Sequence, residues 1–176
     1  MLPELVTPRM ILRQIVPADA AGPYLQWMND IEVVRWLEAR GRVYTRDDLI
    51  SFIRIHTEDR RFHFFAMTLR DGHSHIGNIK LGPVDSVNRR ADLGIIVGER
   101  AAWGRGYARE AISAVTDYAF GKLGLHKVTA GCYGANEGSR RAFLAAGFTH
   151  EGTRKGQFWD GPAWQDELLF GRLAAQ

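Results

Sequence analysis

Hydrophobic positions along the chain switch between a two-residue and a three-to-four-residue spacing, and these switches divide it into elements. Residues 10–15 alternate and read as a first strand, after which Pro17-Ala18-Asp19 opens a helical turn. Leu25, Trp27 and Met28, then Ile31, Val33, Val34, Trp36 and Leu37, fit two short helices with a break near Asn29-Asp30. Thr45, with Asp48 three positions on, has the form of a capping box. The helix it starts carries Leu49, Phe52, Ile53 and His56 on one face. Residues 62–69 and 75–84 read as strands joined by a hairpin turn at Arg70-Asp71-Gly72, and 89–97 as the third strand of that meander.

Beyond the meander, Ala108, Ala111, Ile112, Val115, Ala119 and Leu123 recur at helical spacing. Residues 127–133 form a strand and 136–146 a helix closed by Gly147, a natural residue to follow a helix end. Residues 149–159 and 163–173 make a last hairpin turning at Asp160-Gly161. The order β-α-α-α-β-β-β-α-β-α-β-β has no repeat and no linker. It predicts one α+β domain over residues 1–176 with a mostly antiparallel sheet. One parallel pair is expected around the helix that begins near residue 107, because a β-α-β crossover favours it.

Composition narrows the chemistry. The chain has 176 residues, 45% of them hydrophobic, as in ordinary globular proteins. A net charge of +3 suits an anionic ligand and is too mild for a nucleic-acid surface. The single cysteine, Cys132, excludes an internal disulfide and fits a reducing compartment. No apolar run approaches the ~20 residues of a membrane span, and the first residues lack a signal-peptide plan. A cytoplasmic protein without membrane or nucleic-acid partners is expected. The six histidines show no ligand spacing, so no metal is expected.

The most informative stretch is residues 98–111. Gly104 and Gly106 follow a strand and open a helix. Glycine lets the main chain approach a ligand closely, and the first turn of a helix offers unpaired N–H groups at the positive end of its dipole. Such a mouth holds a pyrophosphate, and Arg105 and Arg109 add charge there. The physics specifies an anion of the nucleotide-phosphate kind.

Trp103-Gly104-Arg105-Gly106-Tyr107-Ala108 resembles the acetyl-CoA loop of the GNAT N-acetyltransferases, written [Gln/Arg]-x-x-Gly-x-[Gly/Ala]. The segment 136–148 resembles the family's Asn-x-x-Ser helix ending in Gly-Phe, here Asn136, Ser139 and Gly147-Phe148. Trp-Gly-x-Gly-Tyr-Ala, Leu125-His126-Lys127-Val128 and the late Asp160-Gly161 turn are most similar to the RimJ/RimL-like branch. The resemblance covers nearly the whole chain. It implies a GNAT-like sheet of about seven strands, splayed where acetyl-CoA binds, and a primary-amine acceptor. That acceptor would be a protein N-terminal α-amine or a small molecule such as an amino-sugar nucleotide or polyamine. A homodimer would be in keeping with the family.

On that resemblance the amides of Gly104, Arg105, Gly106, Tyr107, Ala108 and Arg109 would hold the diphosphate, with Trp103 beside them. The main chain of Ile95, Ile96 and Val97 would pair with the pantetheine arm, Asn136 would bond the arm, and Ser139 would lie near the thioester sulfur or the CoA phosphates. Trp36 and Trp159 would contact the acceptor.

Amide formation from a thioester needs a neutral amine, an oxyanion donor, a proton sink and a proton source. A lysine-like amine, with a pKa of about 10.4, is almost wholly protonated at neutral pH. Asp92 is the candidate base, its competing reading being a strand-edge residue paired with Arg89 or Arg90. The oxyanion donor is expected to be an amide near Ile96 or Val97. Phe143 stands where many relatives carry a tyrosine, so Ser139 is the candidate acid, with Tyr133 or water as alternatives. Cys132 reads as a small core residue and not as a nucleophile.

Two other classes fit parts of the sequence. A dinucleotide-binding oxidoreductase would need a third glycine and a preceding βαβ unit, and Arg109 follows Ala108 instead. A non-catalytic acyl-CoA-binding module on the same fold would bind the thioester without transferring it.

Overall fold

The computed structural model describes residues 2–175. Strand β1 (Leu5–Val6) and β2 (Met10–Gln14) lead through a 3-10 turn (Pro17–Ala21) to helices α1 (Pro23–Met28), α2 (Ile31–Val34) and α3 (Arg46–Glu58). The meander β3 (His63–Leu69), β4 (His75–Leu81) and β5 (Arg90–Val97) follows, then α4 (Tyr107–Gly121), β6 (Lys127–Tyr133), α5 (Glu137–Ala145), β7 (Thr149–Trp159) and β8 (Trp164–Leu173). The strands form one sheet in the order β1-β2-β3-β4-β5-β6-β8-β7.

The strand β1 lay outside the expected count of about seven, making eight. Its two residues are too few to carry a period, and only pairing with Leu12 and Ile11 makes them a strand. Thr45 caps α3 as its spacing predicts: its hydroxyl accepts from the Asp48 amide while the Asp48 carboxylate accepts from the Thr45 amide. Leu49 and Ile53 are buried, whereas Phe52 and His56 sit at the rim and stack edgewise on Phe62 and Phe64.

Helices cover both sheet faces, and β3 shows it directly, because Phe64 and Ala66 pack under α1–α3 while Phe65 and Met67 pack under α4. A strand buried on both sides reads as an apolar run without alternation. Helix α4 contributes Ala111, Ile112, Val115 and Ala119, all at 0% exposure. Burying side chains the size of Ile112 and Val115 contributes about 1.5–3 kcal/mol each.

All pairings are antiparallel except β5–β6, which flank α4. That parallel ladder has three rungs, Arg90–Lys127, Ala91–Val128 and Asp92–Thr129, and then ends. From Leu93 to Val97, β5 keeps only its β4 partner, Val97 facing Gly77 and Leu93 facing Leu81. The sheet is therefore forked between β5 and β6, just ahead of the glycine loop.

Candidate active site

The loop is built from contacts that leave its main chain open. Strand β5 stops at Gly98, where the amides of Gly98 and Glu99 both donate to the Ile76 carbonyl at 2.9 and 3.0 Å. The buried Trp27 indole lies against Gly98 so closely that a Cβ there would fall 2.0 Å from its Cδ2. A short turn (Arg100–Ala102) follows, and the Trp103 indole N–H donates to the Val97 carbonyl at 2.7 Å. Trp103 thus closes the end of β5 against the loop while remaining partly exposed.

Gly104 and Gly106 adopt φ of +71° and +79°, the left-handed region that residues with a Cβ seldom enter. Helix α4 begins directly after Gly106, and the Glu110 amide donates to the Gly106 carbonyl at 3.2 Å. The preceding amides of Tyr107, Ala108 and Arg109 belong to the first turn, whose N–H groups have no helical acceptor. Arg105 and Arg109 are exposed beside them. Ile95, Ile96 and Val97, half-buried, run from the fork to this mouth.

Asp92 sits on the last rung of the fork. Its carboxylate reaches solvent, yet the cleft walls crowd it. Burial pushes its pKa above the ordinary carboxylate range; the Thr129 hydroxyl and the Lys80 ammonium oppose that rise, and Glu167 adds to it. Thr129 Oγ1 donates to Asp92 Oδ1 at 2.9 Å. Of the expected alternative partners, Arg90 pairs instead with Asp85 at 3.5 Å, and Arg89 donates to the Gly124 carbonyl. The Lys80 ammonium lies 5.1 and 5.4 Å from the Phe52 and Phe62 ring centres, and its own burial depresses its pKa.

On the same face, the Glu167 carboxylate leans over Gly131. A Cβ at Gly131 would lie 2.5 Å from Glu167 Oε1, and Arg154 holds the other oxygen at 2.8 Å. Thr129, Gly131 and Tyr133 alternate along β6, so one row runs from Asp92 over Thr129 and Gly131 to Tyr133. Its far end is aromatic. Tyr133 stacks on Phe158 at 4.2 Å and meets Trp36 at 5.8 Å, while Arg40 bonds the Tyr133 hydroxyl.

Trp36 and Trp159 do not come together. Trp159, 49% exposed, pairs with Trp164 near the tip of the β7–β8 hairpin. Trp27, nine residues before Trp36, is core.

Asn136 is the N-cap of α5 and accepts from the Ser139 amide at 3.0 Å. Burial pushes the Cys132 thiol up to about 11, the Ser139 hydroxyl opposing the rise, so Cys132 stays protonated at neutral pH. Phe143 is wholly buried, stacked on Phe170 and edge-on to Phe148. Among the described residues, no group of three or more His, Cys, Asp or Glu is arranged to hold a metal ion. No helix among them is long and apolar enough to cross a membrane.

A family model described as an acetyltransferase (GNAT) domain matches residues 9–149. The chain is a GNAT acetyltransferase. It is 35% identical over 155 residues to the uncharacterized N-acetyltransferase YoaA of Bacillus subtilis, covering 86% of each protein. Its fold is similar to that of Mycobacterium smegmatis RimJ in complex with CoA-disulfide, with a TM-score of 0.83, 23% identity and coverage of 98% of this chain and 86% of that one. Spermidine N-acetyltransferase from Vibrio cholerae, in complex with CoA and spermine, gives a TM-score of 0.82 at 23% identity over 93% and 95% of the two chains. Both solved relatives carry a CoA species, and one carries an amine.

Sequence reading missed several residues of the GNAT cleft. Thr129 and Gly131 carried a signal, as positions on the face of β6 that alternates with the buried apolar Val128, Ala130 and Cys132. Lys80, Arg40 and the Arg9–Glu110 pair carried none, because each acts through a partner far along the chain.

Proposed function

We propose that this GNAT enzyme transfers the acetyl group of acetyl-CoA to a primary amine by direct attack in a ternary complex, as a member of the RimJ/RimL-like branch. The observation that carries this reading is the fork between β5 and β6, with a carboxylate at its base and a glycine-opened helix at its mouth. An extended thioester arm lies along the free edge of Ile95, Ile96 and Val97. The amides of residues 104–109 take its diphosphate, helped by Arg105 and Arg109. Asn136 and Ser139 flank the arm from α5.

Asp92 receives the proton of the incoming ammonium, directly or through water, and a pKa above the usual carboxylate range brings it closer to its task. The amine lone pair then attacks the thioester carbonyl. An amide near Ile96 or Val97 steadies the developing oxyanion. The C–S bond breaks as Ser139 or water protonates the departing thiolate, and the proton that the attacking nitrogen sheds on becoming an amide replaces the one given up. Trp36, with Tyr133 and Phe158, borders the acceptor, and Trp159 meets its outer part. The acceptor is a protein N-terminal α-amine or a small amine, the amino-sugar nucleotides and polyamines included, met in the cytoplasm.

The test is thiol release from acetyl-CoA against a panel of peptides, amino sugars and polyamines. Release that depends on one class identifies the acceptor. Tight acetyl-CoA binding with no release on any amine would leave a non-catalytic binding module.

A further inference from the structure

The turn between β1 and β2 lies nearly a hundred residues before α4 in sequence, yet it is fastened to the diphosphate loop at several points. Glu110 Oε1 accepts from the Thr7 hydroxyl at 2.7 Å and from the Arg9 amide at 2.9 Å. Glu110 Oε2 accepts from Arg9 Nε, also at 2.7 Å, with Arg9 Nη2 equally close. Arg9 Nη1 donates to the Arg105 carbonyl at 2.8 Å, between the two glycines. The guanidinium also stacks over the Tyr107 ring, 4.4 Å from its centre. Its Nη2 is the nearest group to the open side of Gly106, at 3.6 Å from where a Cβ would be.

A glycine-rich backbone that must present amides to a ligand loses conformational entropy on binding unless something holds it beforehand. Gly104 and Gly106 each admit many conformations, and Arg105 between them is exposed. The guanidinium fixes the one carbonyl between those glycines and, through Glu110, ties it to the first turns of α4. A planar fork is suited to this, because it makes three directed bonds from one rigid group.

Glu110 places a negative charge in the first turns of a helix whose mouth is to take an anion. Burial would raise its pKa, but the bonds from Thr7 and Arg9 outweigh burial and hold it below the usual range. It is therefore an anion at neutral pH. On charge alone it would oppose a diphosphate, so its place beside the loop calls for another role.

We infer that Arg9 is a positioning residue for acetyl-CoA: with Glu110 as its anchor it fixes the Gly104–Gly106 main chain in the shape that receives the diphosphate. The inference rests on the reading of that loop given above. Arg9 touches no reacting atom, so its effect falls on cofactor affinity and not on the chemical step.

The experiment measures acetyl-CoA binding by calorimetry, together with KM for both substrates and kcat, on the full chain and on Arg9→Ala, Arg9→Lys and Glu110→Gln. Arg9→Ala should raise the acetyl-CoA Kd and KM on the order of tenfold, as loss of charge-assisted bonds implies, and leave acceptor KM and kcat near the parent values. Arg9→Lys should recover only part of the affinity, since a lysine keeps the charge and loses the fork. Glu110→Gln separates position from charge, because it removes an anion beside the ligand. Weaker acetyl-CoA binding in Glu110→Gln supports the clasp; unchanged or tighter binding overturns it. An acetyl-CoA KM unchanged in Arg9→Ala, or a loss confined to kcat, overturns it as well. If the unaltered chain itself fails to bind acetyl-CoA, the reading of the loop fails instead.

Discussion

Thr129 Oγ1 donates a hydrogen bond to Asp92 Oδ1 at 2.9 Å, across the rung at which β5 and β6 part. The bond links the last point of contact between two strands to a carboxylate at the base of the cleft they open. A donor aimed at a carboxylate favours its charged form, so Thr129 restrains the rise that burial imposes on Asp92. Thr129→Val should push the Asp92 pKa further up. The acid limb of the kcat/KM–pH profile would move to higher pH, with the plateau preserved. A profile that does not move would separate Thr129 from the proton sink.

Asp92→Asn should lower kcat/KM by about 10²–10⁴-fold, the usual worth of a positioned base. The loss should be deepest at low pH, where the amine is most fully charged. Stability should move the other way. A folded pKa above the unfolded value of about 4 means that the charged form costs stability above the folded pKa, and that the cost vanishes as pH falls below the unfolded value. The Asn variant should therefore melt higher than the parent at pH 7, with the gap closing toward pH 4. Thermal unfolding at several pH values checks this, and a variant that melts lower at pH 7 would contradict the sign.

Gly98→Ala tests the packing that ends β5. The new methyl group would lie 2.0 Å from Trp27 Cδ2, within a buried ring that has no free direction of retreat. Overpacking of this kind costs about 1–3 kcal/mol. Urea unfolding should show that loss through a lower midpoint at unchanged slope.

Gly106→Val tests the mouth of α4. At φ of +79° a branched side chain is strained by about 1–2 kcal/mol, while the nearest atom stands 3.6 Å from the new Cβ. The fold should survive with a modestly lower melting temperature. Acetyl-CoA binding should fall below detection in calorimetry, because the side chain occupies the space of the diphosphate. Retained affinity would mean that the diphosphate lies elsewhere.

Much of this was legible in the order of residues. The periods placed α3, α4, α5 and seven of the strands close to where they lie, since each buries a face long enough to repeat. Strand β1 escaped, being two residues whose only reason to extend is a neighbour. The Gly104–Gly106 loop was readable because backbone freedom and helix-end donors are local properties. The surroundings of Asp92 were not. Thr129 lies on another strand, Lys80 on a third and Glu167 on a fourth, and no spacing in the chain announces that they meet. Trp36 and Trp159 read alike as acceptor contacts, yet one meets Tyr133 while the other sits with Trp164.

The sequence by itself determined the α+β order, the single parallel crossover and the glycine loop that opens α4, because these follow from periodicity, glycine and the ends of one helix. Only the tertiary structure decided that β5 and β6 part after Asp92, that Thr129, Lys80 and Glu167 set the charge there, and that Arg9 braces the loop. Those relationships depend on distances between segments far apart in the chain. Such distances are fixed by packing both faces of the sheet at once, and no local stretch contains that information.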